Sequence, residues 1–190
     1  DGSFSWIVPL PDHLTGCSSI TWYCDGSLID GRWSAIRCSG FGLAAVASDG
    51  GLVAYGLGWP PSWCDTAASA EAWAMLTVLA QCPFVPPIRT DCQALLTTAL
   101  AGNASATHHD RPLARVWSMV AHIVGDDLSS IVNSGKLVWM PAHKSQKAVG
   151  VAQLSNGQLL TTIDWRANRL VDGLAKAAAK SLAAPSQVSA

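Results

Sequence analysis

The chain is 190 residues long, 49% hydrophobic and 13% charged, with a net charge of −1 from 12 Lys and Arg against 13 Asp and Glu. That length supports one domain with a core of its own, and the composition excludes a disordered chain or a heavily solvated coiled coil. The balanced charge excludes a bulk basic surface, so any grip on nucleic acid has to come from a local basic track.

Residues 1–19 are rich in Gly, Pro, Ser and Asp and read as a lead-in segment or linker. Residues 20–24 are β-branched and aromatic and predict a strand, broken by Asp25-Gly26-Ser27. Residues 40–48 predict a second strand, Asp49-Gly50-Gly51 a hairpin turn, and residues 52–57 a third strand. A Pro- and Trp-rich loop at 58–64 leads to Asp65 or Thr66 as cap of a helix over 67–81, ended by Pro83. Residues 88–91 predict a short strand and 93–100 a helix stopped by Gly102; 103–111 reads as a polar loop. Apolar residues at 113, 116, 117, 120 and 124 make a helical stripe. Residues 136–140 predict a strand ended by Pro141. Residues 144–165 read as irregular, with a turn at Ser155-Asn156-Gly157, and 167–182 as an Ala- and Leu-rich helix. A flexible tail is expected at 183–190.

This order predicts an α/β fold: a mixed five-stranded sheet, three antiparallel strands then two parallel, flanked by helices. The domain is expected over 20–182.

The six cysteines form no Cys-x-x-Cys pair, and His108-His109 has no cysteine partner at zinc-finger spacing. Free thiols in a reducing, intracellular setting (cytoplasm or nucleus) are the expectation. No apolar run reaches the ~18 residues of a membrane span, and no signal peptide is visible. The start at Asp rather than Met is read as the mark of a piece of a longer polypeptide.

Acids are scarce, so their positions carry information. Asp25 ends the first predicted strand, Glu71 lies early in the first long helix, Asp91 ends the fourth strand, and Asp172 lies on the last helix. Each is in or beside an apolar segment, where a carboxylate is costly unless paired or bound to a cation. Strand ends and helix starts converge at one edge of an α/β sheet. Converging carboxylates suit hard, oxygen-loving cations, Mg²⁺ or Mn²⁺, and a pair of such ions suits phosphodiester hydrolysis. The alternative is a set of solvated strand-end acids without a shared role.

The chain resembles the ribonuclease H family in five stretches: Thr21-Trp-Tyr-Cys-Asp25-Gly-Ser27, Thr66-Ala-Ala-Ser-Ala-Glu71-Ala-Trp-Ala, Ile88-Arg-Thr-Asp91-Cys-Gln93, Val138-Trp-Met-Pro-Ala-His143 and Asn168-Arg-Leu-Val-Asp172-Gly-Leu-Ala175. The resemblance covers residues 20–180. It implies a ribonuclease H-like fold and cleavage of the RNA strand of RNA–DNA hybrids with two Mg²⁺, or Mn²⁺ in their place. Asp25, Glu71, Asp91 and Asp172 would be the metal ligands, and His143 would move protons and help release product. Gly26, Ser27, Gln93 and Asn168 would lie at the substrate, Gln93 in the minor groove where 2′-hydroxyls are read. Asn168 has a second reading, as cap of the last helix.

The departures bear on substrate grip. Residues 144–167 insert between His143 and Asn168. They bring Lys144, Lys147 and Arg166 near the substrate or form a passive hairpin, and they include Asp164, a rival fourth ligand. The long basic protrusion of some relatives is absent. Trp22, Trp73, Trp117 and Trp139 read as core; Trp59 and Trp63 read as loop packing or as base-stacking platforms. The expected setting is a retrotransposon polyprotein, with an adjacent reverse transcriptase domain as partner. The alternative function is a catalytically inactive scaffold or nucleic-acid-binding domain of a polyprotein.

Overall fold

The computed structural model describes residues 2–30 and 37–183; the expected tail past Ala183 lies outside them. Strands β1 (Ser3–Val8), β2 (Thr21–Ile29), β3 (Cys38–Val46), β4 (Leu52–Trp59), β5 (Ile88–Thr90) and β6 (Leu137–Trp139) form one sheet in the order β1-β4-β3-β2-β5-β6. Strands β2, β3 and β4 make the expected antiparallel meander, and β5 and β6 continue it in parallel.

Among the described residues the sheet has six strands, not five. The sixth comes from the stretch read as lead-in: β1 pairs antiparallel with β4. Its alternation is short and set among Gly, Pro and Ser, yet it is a real period of two. Phe4 and Trp6 turn inward and Ser3, Ser5 and Ile7 outward. Phe4 stacks on Phe41 at 6.0 Å between ring centroids, and Trp6 meets Trp22 at 6.2 Å.

Strand β2 also differs from expectation. It does not break at Asp25-Gly26-Ser27 but runs to Ile29, in continuous register with β3 that pairs Asp25 with Gly42. The ladder to β3 outweighs the local breaker signal.

The helices are α1 (Ala67–Ala80), α2 (Gln93–Leu100), α3 (Gly102–Ala106), α4 (Ala114–Val124), α5 (Ser129–Asn133) and α6 (Thr162–Leu182). Thr66, not Asp65, caps α1, in a reciprocal capping box with Ser69. Helix α3 lies inside the expected polar loop, and α5 had no clear signal. Helix α6 starts five residues earlier than its composition predicts, because Thr161 and Asp164 form a second capping box.

The sheet separates two apolar clusters. On one face Trp22 and Cys24 of β2 pack with α1, α2 and α4. On the other Tyr23, Ala44 and Val138 pack with α6. The insertion contributes to this second cluster: Leu154 and Leu160 are buried, and Gln153 bridges Leu159. No helix among the described residues is long and apolar enough to cross a membrane.

Because β1 fills the core with aromatic rings, Phe4→Ala is expected to lower unfolding stability by about 3 kcal/mol. Urea denaturation checks this, and an unchanged midpoint would mean that β1 is dispensable.

Candidate metal centre

Asp25 projects from the middle of β2, beside the parallel strand β5 that ends just before Asp91. Glu71 comes from the second turn of α1. Gly26 is what lets α1 approach: a Cβ there would lie 2.4 Å from the Glu71 backbone nitrogen, closer than any side chain tolerates. A carboxylate oxygen from each of Asp25, Glu71 and Asp91 lies within 4.8 Å of the others. Asp25 and Glu71 are buried and Asp91 is half-buried.

These groups disfavour one another's charge. Burial pushes Asp25 up to about 6, helped by the charges of Asp91 and Asp172. Burial pushes Glu71 well above the usual carboxylate range, with Asp25 adding to it. Cys24, fully buried behind them, is also raised by burial and then by Glu71 and Asp25. Glu71 Oε2 is buried without a hydrogen-bond partner, which normally costs about 1–3 kcal/mol. Oxygen-only donors, mutual repulsion and an orphaned carboxylate oxygen fit a hard divalent cation.

The other expected site residues fall into place unevenly. Asn168 Nδ2 donates to Asp91 Oδ2 at 3.1 Å. It sits well inside α6, whose cap is Thr161, so the capping reading of Asn168 is corrected. Asp164, the rival ligand, is engaged elsewhere: it completes the capping box, accepts from the Tyr23 hydroxyl at 2.7 Å and faces Arg89 Nε at 3.8 Å. Asp172 is outside the compact triad. Lys176, one turn on, holds both its oxygens at 2.7 and 2.8 Å, although its charge is still felt at Asp25.

His143 is exposed and has φ 49, the left-handed region that non-glycine residues seldom occupy. It shares a cavity of about 40 Å³ with Asn168 and Asp172. Ser27 is half-buried on β2, and Gln93 is exposed at the first turn of α2. Of the insertion's cations, Lys144 and Lys147 are exposed on a turn before α6 and Arg166 is exposed on α6 itself. Trp59 donates from Nε1 to the Ala178 carbonyl at 2.8 Å, and Trp63 packs edge-on against Trp73, so both are engaged in packing.

Sequence reasoning missed two supports. Lys176 was legible as an i, i+4 partner of Asp172. Trp139, read only as core, donates from Nε1 to the Asp91 carbonyl at 2.9 Å and fixes the backbone beneath that carboxylate.

No protein-family model and no curated protein matches the chain. Solved structures do. The crystal structure of prototype foamy virus protease–reverse transcriptase superposes with a TM-score of 0.54 at 17% identity, over 90% of this chain and 22% of that one. The solution structure of the PFV RNase H domain matches at 0.52 and 16% identity, over 86% of this chain and 95% of that one. RNase H1 from the halophilic archaeon Halobacterium salinarum NRC-1 matches at 0.49 and 18% identity, over 85% and 98%. The two foamy virus likenesses show the fold: this chain folds as RNase H domains do.

The carboxylate repulsion has a measurable consequence. Asp25 has its folded value near 6 against 3.8 for a free side chain, so the folded state binds its proton more tightly. Its stabilising contribution is present below pH 3.8 and is lost as pH rises through 6. In chelator, Asp25→Asn is therefore expected to raise stability at pH 7.5 by about 2 kcal/mol, and the gain should vanish near pH 4. Thermal denaturation at both pH values checks this; equal effects at the two would contradict it.

Proposed function

We propose that this domain is a metal-dependent nuclease that hydrolyses the RNA strand of RNA–DNA hybrids. The observation that carries the reading is the buried Asp25–Glu71–Asp91 cluster with its orphaned Glu71 oxygen, set on an RNase H fold. Asp25, Glu71 and Asp91 would hold two divalent ions together with Asp172, once Asp172 leaves Lys176. When bound, Mg²⁺ or Mn²⁺ supplies charge neutralisation at the phosphate and an activated water for an in-line attack.

The chain's own residues do the rest. Asn168, bonded to Asp91, keeps that carboxylate oriented. The His143 imidazole, exposed on a cavity it shares with Asp172, would take up a proton and help product leave. Ser27 and Gln93 would meet the hybrid backbone, and Gly26 would serve by letting α1 bring Glu71 close. The net charge of −1 leaves no bulk basic excess for gripping a hybrid. The missing grip is assigned to a reverse transcriptase domain in the same polypeptide; one protein with this fold is a foamy virus protease–reverse transcriptase. The chain spans about a fifth of that protein. Cys17, Cys24, Cys64, Cys82 and Cys92, none of them in a disulfide, fit an intracellular setting, and a retrotransposon source belongs to the same reading.

One observation favours a second reading, an inactive scaffold: Asp172 is held by Lys176 rather than by the triad. A single assay separates the two. The wild type is expected to cut the RNA of a labelled hybrid in Mg²⁺ or Mn²⁺ and to leave DNA duplex intact, and Asp91→Asn is expected to lose at least about a hundredfold in rate. Cleavage that survives Asp91→Asn would refute the assigned site. A folded wild type that binds Mg²⁺ but cuts nothing would favour the scaffold.

A further inference from the structure

The loop between α3 and α4 carries His108, His109 and Asp110, none of which the nuclease reading uses. The sequence showed the two histidines without a cysteine partner; the fold supplies a carboxylate instead. His109 Nε2 lies 3.1 Å from Asp110 Oδ1, and His108 Nδ1 lies 3.6 Å from Asp110 Oδ2. The imidazole centroids are 4.4 Å apart with 33° between the planes. One ligand atom from each residue falls within 4.8 Å of the other two, a spacing as compact as that of the Asp25 cluster.

Those spacings have a geometric meaning. A tetrahedral zinc ion binds nitrogen at about 2.0–2.1 Å and oxygen at about 2.0–2.2 Å, which puts neighbouring ligand atoms roughly 3.3–3.5 Å apart. The two nitrogen–oxygen separations, 3.1 Å to Asp110 Oδ1 and 3.6 Å to Asp110 Oδ2, are each close to that edge length, so each carboxylate oxygen is spaced to share an ion with one imidazole. The loop is already tied in place: the Thr107 amide donates to the Asn103 carbonyl at 3.0 Å and the Arg111 amide to the His108 carbonyl at 2.9 Å. The Asp110 amide donates to His108 Nδ1 over a long 3.4 Å, a weak bond that a metal ion at Nδ1 would replace. The nearest cation, Arg111, directs Nη2 to Ser105 Oγ at 3.5 Å, toward α3. All three ligand residues are exposed, so an ion reaches them directly and at least one coordination position stays open to water.

We propose that His108, His109 and Asp110 form a second metal site, selective for a borderline transition ion such as Zn²⁺. Two imidazoles and one carboxylate prefer Zn²⁺, Co²⁺, Ni²⁺ or Cu²⁺, whereas the all-carboxylate cluster of Asp25, Glu71 and Asp91 prefers Mg²⁺ or Mn²⁺. The two sites thus sort ions by ligand softness on one chain. This site does not depend on the nuclease reading.

The test uses Co²⁺ as a visible probe and Zn²⁺ as competitor. It is run on the full chain carrying Asp91→Asn, in excess Mg²⁺, so that the acidic cluster does not contribute. One equivalent of Co²⁺ is expected to bind saturably, without a thiolate charge-transfer band, and to be displaced by Zn²⁺. His109→Ala and Asp110→Asn, each shown to be folded by circular dichroism, are expected to weaken binding by about tenfold or more. Absence of saturable binding, a thiolate band, or binding unchanged in both variants would overturn the proposal.

Discussion

Three carboxylates pressed together where β2, β5 and α1 meet repel one another, and the rest of this fold is organised around holding them there. Asp25 is kept in place by an unbroken ladder to β3. Glu71 is brought in by a helix that only a glycine at position 26 allows so close. Asp91 is fixed twice, through its side chain by Asn168 and through its carbonyl by Trp139. Such a cluster lowers the stability of the chain by itself, and a bound cation would return that stability.

The remaining architecture supplies the stiffness this requires. Helix α1 is buried almost all round, so Glu71 cannot withdraw into solvent without disturbing the core. Helix α6 crosses the other face and packs directly on β3, where a Cβ at Gly42 would meet the Val171 carbonyl at 2.5 Å. The insertion after His143 is not a loose appendage: Leu154 and Leu160 seal the cluster beneath α6, and the Lys144 carbonyl accepts from Trp165 Nε1 at 2.9 Å. Asp172 is the adjustable member. Its pairing with Lys176 stabilises the metal-free state, and releasing it is a small exposed rearrangement, because an exposed i, i+4 pair contributes only about 0.3–0.5 kcal/mol.

Much of this was legible in the sequence. Asp25, Glu71 and Asp91 stood out because acids are rare and each interrupts an apolar stretch, and the parallel and antiparallel parts of the sheet followed from element order. What was hidden depended on tertiary partners. The alternation of Phe4 and Trp6 is too short and too diluted by Gly, Pro and Ser to declare a strand without β4 beside it. The Gly26-Ser27 break was overruled by pairing with β3. Asp164 looked like a rival ligand because sequence carries no trace of Tyr23 and Arg89 waiting for it across the fold. Asp110 follows His109 directly in the chain, but its approach to both imidazoles depends on how the loop between α3 and α4 folds.

The central claim is that the acidic cluster exists to bind divalent cations. Anomalous diffraction from crystals grown with Mn²⁺ tests it most directly. The account predicts Mn²⁺ peaks among Asp25, Glu71 and Asp91, with Glu71 Oε2 engaged and Asp172 turned from Lys176 toward the metal. Crystals that diffract well in millimolar Mn²⁺ and show no anomalous peak at these carboxylates would contradict it.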